Sequence, residues 1–525
     1  MNTKSNLSRR DFHRKVGEGM LWAGLGSTLA MELGLSTAFA AEQNGNRKLH
    51  FGDLEPLVGF MQDTPLDKLQ SLVVEKLKKN KVTFEQLMQA AALANARSFG
   101  GEDYIGMHTL MAMQPAYRMA RRLPSDRKAL IILKILYRNT GQIHSKGSKH
   151  TLHDVDPTKL ISDKSGAEQL SEAVHNHDLE KAEEILAALA ESSPEDAFNE
   201  LMQVVAEDTE VHRIVFAHRS WEIIELAGKE NAEAMLRQSL RYCVKGEKWA
   251  KKHSTPRTLL PKLLEEHKLL DNTPATRSVD DTWIEKFSQT IFTAKPEDAA
   301  AAVAESLADG ISPKDLGEAI SLATNQLVLR DVGRRGKQIR PGKPEGSVHG
   351  DSIGVHASDS AHAWRGIANV SNPRNAAACL ILAGYQAALD RTRRGGDFLE
   401  WKPRPHEEQL AGIKAKAKDK DALLKELDGA IREQDQASAC ALVHQFGAKG
   451  GKAPQVVDLL LRYATKEDGA LHAEKYFITT TSDFASTRPS FRWRHLVGLA
   501  RITASESGQT AKGYEEACDL LGVEV

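Results

Sequence analysis

One element recurs four times along this chain: an acidic residue, a histidine four or five positions later, and an apolar residue just before the histidine. The copies are Asp103-Tyr-Ile-Gly-Met-His108, Asp208-Thr-Glu-Val-His212, Asp351-Ser-Ile-Gly-Val-His356 and Asp468-Gly-Ala-Leu-His472. Internal recurrence constrains architecture more tightly than a local propensity does, because each copy marks an equivalent point of a structural unit. It also sets the same titratable, metal-capable side chain at four equivalent places.

Around these copies the pattern is helical. Leu69, Leu72, Val73 and Leu77, and later Ala182, Ile185, Leu186 and Leu189, fall at spacings of three and four, the stripe of an amphipathic helix. Ser193-Pro-Glu-Asp196 and Ser312-Pro-Lys-Asp315 each place a capping serine before a first-turn proline, and Thr83-Phe-Glu-Gln86 reads as a capping box. Few β-branched alternations compete, so the chain is expected to be all-α. It divides into four degenerate multi-helix units at 41–140, 178–245, 281–390 and 413–525, with connectors at 141–177, 246–280 and 391–412. In each unit the histidine should open a third helix, followed by a fourth. Repeats of this size either stack as a solenoid or close as a toroid, and a histidine at each helix start favours a shared, histidine-lined cavity.

Residues 1–40 read as an address. Ser8-Arg9-Arg10-Asp11-Phe12 has the twin-arginine pattern, a Gly- and Ala-rich stretch runs to Leu35, and Ala38-Phe39-Ala40 offers a cleavage site before Ala41. Glu18 and Glu32 argue against a stable membrane span there. The expectation is a protein handed to the twin-arginine translocation machinery and delivered to the periplasm or beyond. That route carries folded proteins, often with a cofactor already inserted. The 70 Lys and Arg against 71 Asp and Glu give a net charge of −1, which singles out neither nucleic acid nor a membrane surface as partner. Four cysteines without a CxxC disfavour a zinc ribbon, a c-type haem or a thioredoxin-like centre, and a buried apolar thiol is the expected role of each.

The recurring histidines admit two readings. In one, each acidic residue caps a helix and the imidazole packs at a repeat junction. In the other, His108, His212, His356 and His472 converge as ligands of a transition metal, iron, copper or zinc, and Asp208 and Asp351 fix ring tautomers. His212 and His356 would then be central to catalysis, with His218 and His362, six residues further on, as acid–base groups. Tyr117, Trp221 and Trp364 follow the repeat histidines by eight or nine positions and are candidates for a flat apolar wall, or else for core packing. His175-Asn-His177-Asp178 is a weaker metal candidate, and Arg334, Arg335, Lys337 and Arg340 form a basic, Gly-rich loop able to hold an anion. No Rossmann, Walker or HExxH motif is present.

His212-Arg-Ile-Val-Phe-Ala-His218-Arg-Ser-Trp221, with the helix ending Leu240-Arg-Tyr242 after it, resembles the questin oxidase-like family. Val355-His356-Ala357 and Leu471-His472-Ala473 are similar to that family's later histidine segments. The resemblance implies a helical oxidoreductase performing a Baeyer–Villiger-type oxygenation of a polycyclic aromatic. The chain departs from the family in its export signal, its extra first unit, and Gln114 and Ile478 where a second histidine would stand. The sequence thus points to an exported, oxygenase-like oxidoreductase acting on an aromatic or other apolar small molecule. The alternative is a non-catalytic helical scaffold or binding protein of the periplasm or cell surface. Convergence of the four histidines would separate the two.

Overall fold

The computed structural model describes residues 49–148, 151–249, 255–270, 276–393, 398–415 and 419–524; the segment 1–40 read as an export signal lies outside them. The described chain is all-α, with three isolated bridge pairs as its only extended pairing. No helix among the described residues is long and apolar enough to cross a membrane.

Twelve helices position the site, three in each unit. The first unit contributes α1 (Phe84–Phe99), α2 (Tyr104–Ala120) and α3 (Lys128–Lys146), and the second α4 (Pro194–Val205), α5 (Val211–Glu222) and α6 (Ala232–Glu247). The third has α7 (Pro313–Arg330), α8 (Ile353–Ala368) and α9 (Pro373–Arg391), and the fourth α10 (Ala453–Lys466), α11 (Ala473–Ser486) and α12 (Trp493–Glu506). In every unit the middle helix packs on the helix before it and the helix after it. The four middle helices also pack on one another in a circuit, α2 on α5, α5 on α8, α8 on α11 and α11 on α2. The short helix Tyr514–Leu521 lies against Leu66–Lys78, and Gln70 Nε2 donates to Gly513 O at 2.9 Å, so the end of the chain meets the first unit.

Local chemistry sets the helix starts. Thr83 and Gln86 exchange both bonds of the expected capping box, Ser193 and Ser312 cap α4 and α7 ahead of their prolines, and Asn372 caps α9 in the same way. Gly100 and Gly101 end α1 with φ of 54° and 77°. A side chain at Gly101 would also come within 2.5 Å of Gln238 O, so both backbone freedom and a close approach hold that position to glycine. The middle helices are buried on nearly all faces. That is why their sequences lack a one-sided apolar stripe, the mark of a helix with neighbours all round.

Several expected boundaries shift. α2 and α8 begin before their histidines because Asp103 and Ser352 cap them, leaving His108 and His356 as the fifth and fourth helical residues. α3 runs through Gly141 into the expected connector, and a side chain at Gly141 would meet Leu66 at 3.2 Å, so the glycine there serves close packing rather than a helix end. The connector 141–177 contains a helix, Gly166–His175, packed on α4 and on Leu179–Ser192. The connector 246–280 likewise contains Thr255–Glu266, packed on α9. All four cysteines are buried free thiols.

Candidate functional site

The circuit of middle helices brings the four repeat histidines together at one end. Ring centroids are 5.0 Å apart for His108 and His212, 5.6 Å for His212 and His356, 4.9 Å for His356 and His472, and 5.2 Å for His472 and His108. The sequence of near neighbours closes on itself. Two imidazoles binding one ion through Nε2 at the usual ~2.0–2.1 Å have centroids about 4.5–5.2 Å apart for angles between square and tetrahedral. Three of the four observed edges fall in that range, and the His212–His356 edge, at 5.6 Å, lies beyond it.

The outward nitrogens are fixed. His108 Nδ1 lies 2.8 Å from Tyr104 O, and His472 Nδ1 lies 2.7 Å from Ala470 O. A carbonyl only accepts, so both rings carry their proton on Nδ1 and present a bare lone pair at Nε2. His212 Nδ1 lies 2.7 Å from Glu210 Oε1, and an ionised carboxylate imposes the same tautomer. Burial pushes the Glu210 carboxyl up, but bonds from His212 and the Arg213 amide outweigh it and hold it at about 2. His356 Nε2 stands 3.0 Å from His472 Nε2. The Nε2 atoms of His108 and His212 are buried without a hydrogen-bond partner. Burial, with the Lys475 charge adding to it, drives His108 and His472 far below the ordinary histidine value, so both rings are neutral.

The backbone works to aim His472. Gly469, Ala470 and Leu471 take φ of 57°, 48° and 70° in succession. Left-handed conformations at non-glycine residues cost of order 1–3 kcal/mol each and persist only where surrounding structure enforces them. Here the enforcement includes buried Lys134, whose Nζ reaches Glu467 O at 2.5 Å, Ala464 O at 3.0 Å and Glu474 at 2.7 Å.

Beneath the ring the interior of the four helices stays polar. Lys475 is 1% exposed, and burial, opposed by Asp359, brings its ammonium down to about 7. Asp359 accepts from Thr479 Oγ1 at 2.8 Å, and burial raises its carboxyl. Further along, His218 and His362 pair with centroids 5.6 Å apart. His362 Nδ1 lies 3.1 Å from Asp483 Oδ1, which Arg365 also reaches at 2.9 Å, while Glu222 flanks His218.

Above the ring, on the side of the helix N-termini, opens a cavity of about 720 Å³ that Tyr104, His212 and His356 line. The basic loop at 330–350 forms much of its wall, with Phe398 and Trp401 opposite in the chain. Buried His349, two residues before Asp351, also lines it.

The expected residues therefore separate into three groups. His108, His212, His356 and His472 come together. His218 and His362 form their own pair deeper in the bundle. Tyr117, Trp221 and Trp364 do not border the cavity: Trp221 stacks on Phe198 at 4.5 Å, Trp364 is 1% exposed with Nε1 donating to Gln386 at 2.8 Å, and Tyr117 packs partly buried on the core beside Glu85. The carboxylates expected to orient the rings also differ. Glu210, not Asp208, holds His212, while Asp351 pairs with Arg334 and Lys343 at 2.5 and 2.9 Å. Asp103 does cap its helix, accepting from Gly106 N at 2.7 Å. His175 gathers with Glu207 and Glu247, but Arg257 already lies 2.9 and 2.5 Å from the two carboxylates and supplies the positive charge there. Sequence reasoning missed Glu210, His349, Lys475, Asp359 and Asp483. Lys475 was legible, since one helical turn after His472 places it under the same ring.

No family model, curated protein or solved structure matches this chain.

Proposed function

We propose that His108, His212, His356 and His472 hold a transition metal, copper, iron or zinc, and that the protein is a metal-dependent oxidoreductase acting on a small molecule admitted through the adjoining cavity. The observation that carries the reading is the tautomer pattern. Nδ1 of three rings is committed to Tyr104 O, Glu210 and Ala470 O, which turns three Nε2 lone pairs inward, and those of His108 and His212 meet no donor. Buried acceptors without donors cost about 1–3 kcal/mol each. A cation offsets that cost, and neutral imidazole is the form that binds one. Carbonyl and carboxylate partners on the outer nitrogens are the arrangement that orients metal-binding histidines.

An all-imidazole set suits copper, iron or zinc rather than calcium or magnesium. With no anionic ligand, the ion would keep its full charge and act on a substrate oxygen as a Lewis acid or, as copper or iron, as a redox centre. The chain's own contribution is then clear. Glu210 orients His212, the left-handed turn at 469–471 orients His472, and Lys475 holds or releases a proton close to neutral pH beside the ring. Resemblance to questin oxidase-like proteins extends this reading to oxygenation of an aromatic, and twin-arginine export to the periplasm agrees with loading a metal before translocation. A toroid-like set of four repeats around a histidine-lined cavity is the architecture we assign. A scaffold that merely displays helices has no use for buried, unsatisfied imidazoles at the meeting point of all four units.

The test is metal content in folded protein recovered from the exported fraction, beside a His212→Ala/His356→Ala variant with an unchanged circular dichroism spectrum. About one copper, iron or zinc per chain, absent from the variant, is the expected result. A folded wild-type chain that binds none of the three when titrated with each would sink the metal reading.

A further inference from the structure

The walls of the cavity above the histidines specify more than its existence. Arg334, Arg335, Lys337, Arg340 and Arg393 line it, against two carboxylates, Asp331 and Asp351. Five cations less two anions leaves a local excess of three positive charges in a protein whose net charge is −1. Just behind the wall Lys343 shares Asp351 with Arg334, and Asp390 stands 3.7 Å from Arg393, so the charges behind the wall balance and the excess of three stands. Helix α8 begins at the cavity floor near His356 under a neutral Ser352 cap, and its N-terminus adds positive potential, whereas the Glu210 carboxylate already caps α5. His349 provides a further, independent sign: it is 3% exposed, lines the cavity, and its Nε2 has no partner. Apolar surface is present as well. Phe398 and Trp401, in edge contact at 4.9 Å, and Tyr104, which leans on the His108 ring at 4.2 Å, border the same space.

We infer that this cavity binds a planar organic anion, a carboxylate or similarly charged small molecule with a flat apolar body, whose charge sits among the arginines of the 330–350 loop and whose body faces His212 and His356. The inference rests on the functional reading above, in that it names the substrate class of the same site, but the recognition itself depends on the loop and not on the metal. Arg335, Lys337 and Arg340 are exposed at the rim and draw the anion in; Phe398, Trp401 and Tyr104 sandwich its body. Arginine and aromatic walls together suit a conjugated anion better than inorganic phosphate, which has no face to stack.

The probe is 2-naphthoate, followed by its own fluorescence on titration with the full folded chain, beside uncharged 2-naphthylmethanol. The anion should bind at least tenfold more tightly than the alcohol, and its affinity should fall as salt is raised. Arg335→Glu/Lys337→Glu, at two exposed positions whose replacement leaves the melting temperature in place, should weaken naphthoate at least tenfold and the alcohol hardly at all, and leave metal content unaltered. His472→Ala, at a ring position that does not line the cavity, should lose metal yet still bind naphthoate within a few-fold of wild type. Equal affinity for anion and alcohol, no binding of either, or indifference to the charge reversal would each overturn the inference. Anion binding in a chain that takes up no metal would instead uphold it and remove the metal reading alone.

Discussion

Two histidine clusters occupy the same four-helix interior, one at its end and one deeper along it, and they are built to opposite rules. In the deep pair, His218 and His362 sit among opposite charges: Glu222 beside one, Asp483 and Arg365 against the other. Every charge there has a counter-charge, the condition for burying ions at tolerable cost. In the end cluster the inner nitrogens are aimed at one another. Two of them are 3.0 Å apart, and two others lack any partner. Burial does not distinguish the clusters. The partners do: carboxylates stand 3.9 Å from His218 Nδ1, itself without a hydrogen bond, and 3.1 Å from His362 Nδ1, whereas the inner nitrogens of the end ring are aimed at one another.

The contrast is sharpest when one ring of each cluster is removed. His472→Ala should weaken metal binding at least a thousandfold, about 4 kcal/mol at 1.4 kcal/mol per factor of ten. His218→Ala should leave metal affinity within a few-fold and lower the melting temperature instead. Isothermal titration with copper or zinc, run beside thermal unfolding, reads both effects. Equal losses of metal affinity from the two variants would erase the distinction between the clusters.

Glu210→Gln probes the support of the ring rather than the ring itself. The amide keeps an acceptor for the Arg213 N–H but removes the charge that holds the His212 tautomer. Loss of such an outer partner typically costs 10–100-fold in metal affinity, and that decrease is expected in a competition titration with no change in folding. Gly366→Ala acts on the deep pair alone. A methyl there would come 2.0 Å from His218 Nε2, so destabilisation of about 1–3 kcal/mol, typical of overpacking, is expected. Chemical denaturation measures it, and metal content should stay at the wild-type level.

How much of this was readable from the chain follows the same division. The all-α class and the capped helix starts at Thr83, Ser193 and Ser312 were legible because they depend on residues within one helical turn. The convergence of the four histidines was legible as a possibility, since repeats place equivalent residues on one shared surface. The roles of the acidic partners were not. Asp103 caps, Asp351 binds the basic loop and Asp468 faces Arg138, while His212 is held by Glu210, which the shared spacing had passed over. A two-residue offset decides which carboxylate reaches an imidazole, and only the turn geometry sets that offset. The tryptophans misled for a related reason. Trp221 and Trp364 follow their histidines by nine and eight residues, but that spacing turns them toward neighbouring helices and the core. The basic loop was visible as charge; its place over the histidines depends on Val348 and Gly350 docking on Ser505 and Glu506 of a distant helix.

The smallest expected effect concerns acid. Burial first, and Arg219 and His362 after it, bring His218 down to about 3, with Glu222 opposing them. A histidine whose folded pKa lies below its unfolded value binds fewer protons folded than unfolded. Its contribution is therefore complete above the unfolded value near 6.5 and is lost as pH falls from there toward 3. At pH 5.5 that loss amounts to about 1.4 kcal/mol. His218→Gln, which cannot take up the proton, should be less stable than wild type at pH 7.5 but lose about that much less on acidification to pH 5.5. The difference between the two proteins is the quantity to measure, because acid acts on the rest of the fold equally in both. Urea unfolding of metal-free wild type and variant at the two pH values gives it directly. Parallel losses would mean that His218 is already charged in the fold, with Glu222 dominating burial, and His218 would then be an ion-pair partner in fact and not a neutral ring flanked by ions.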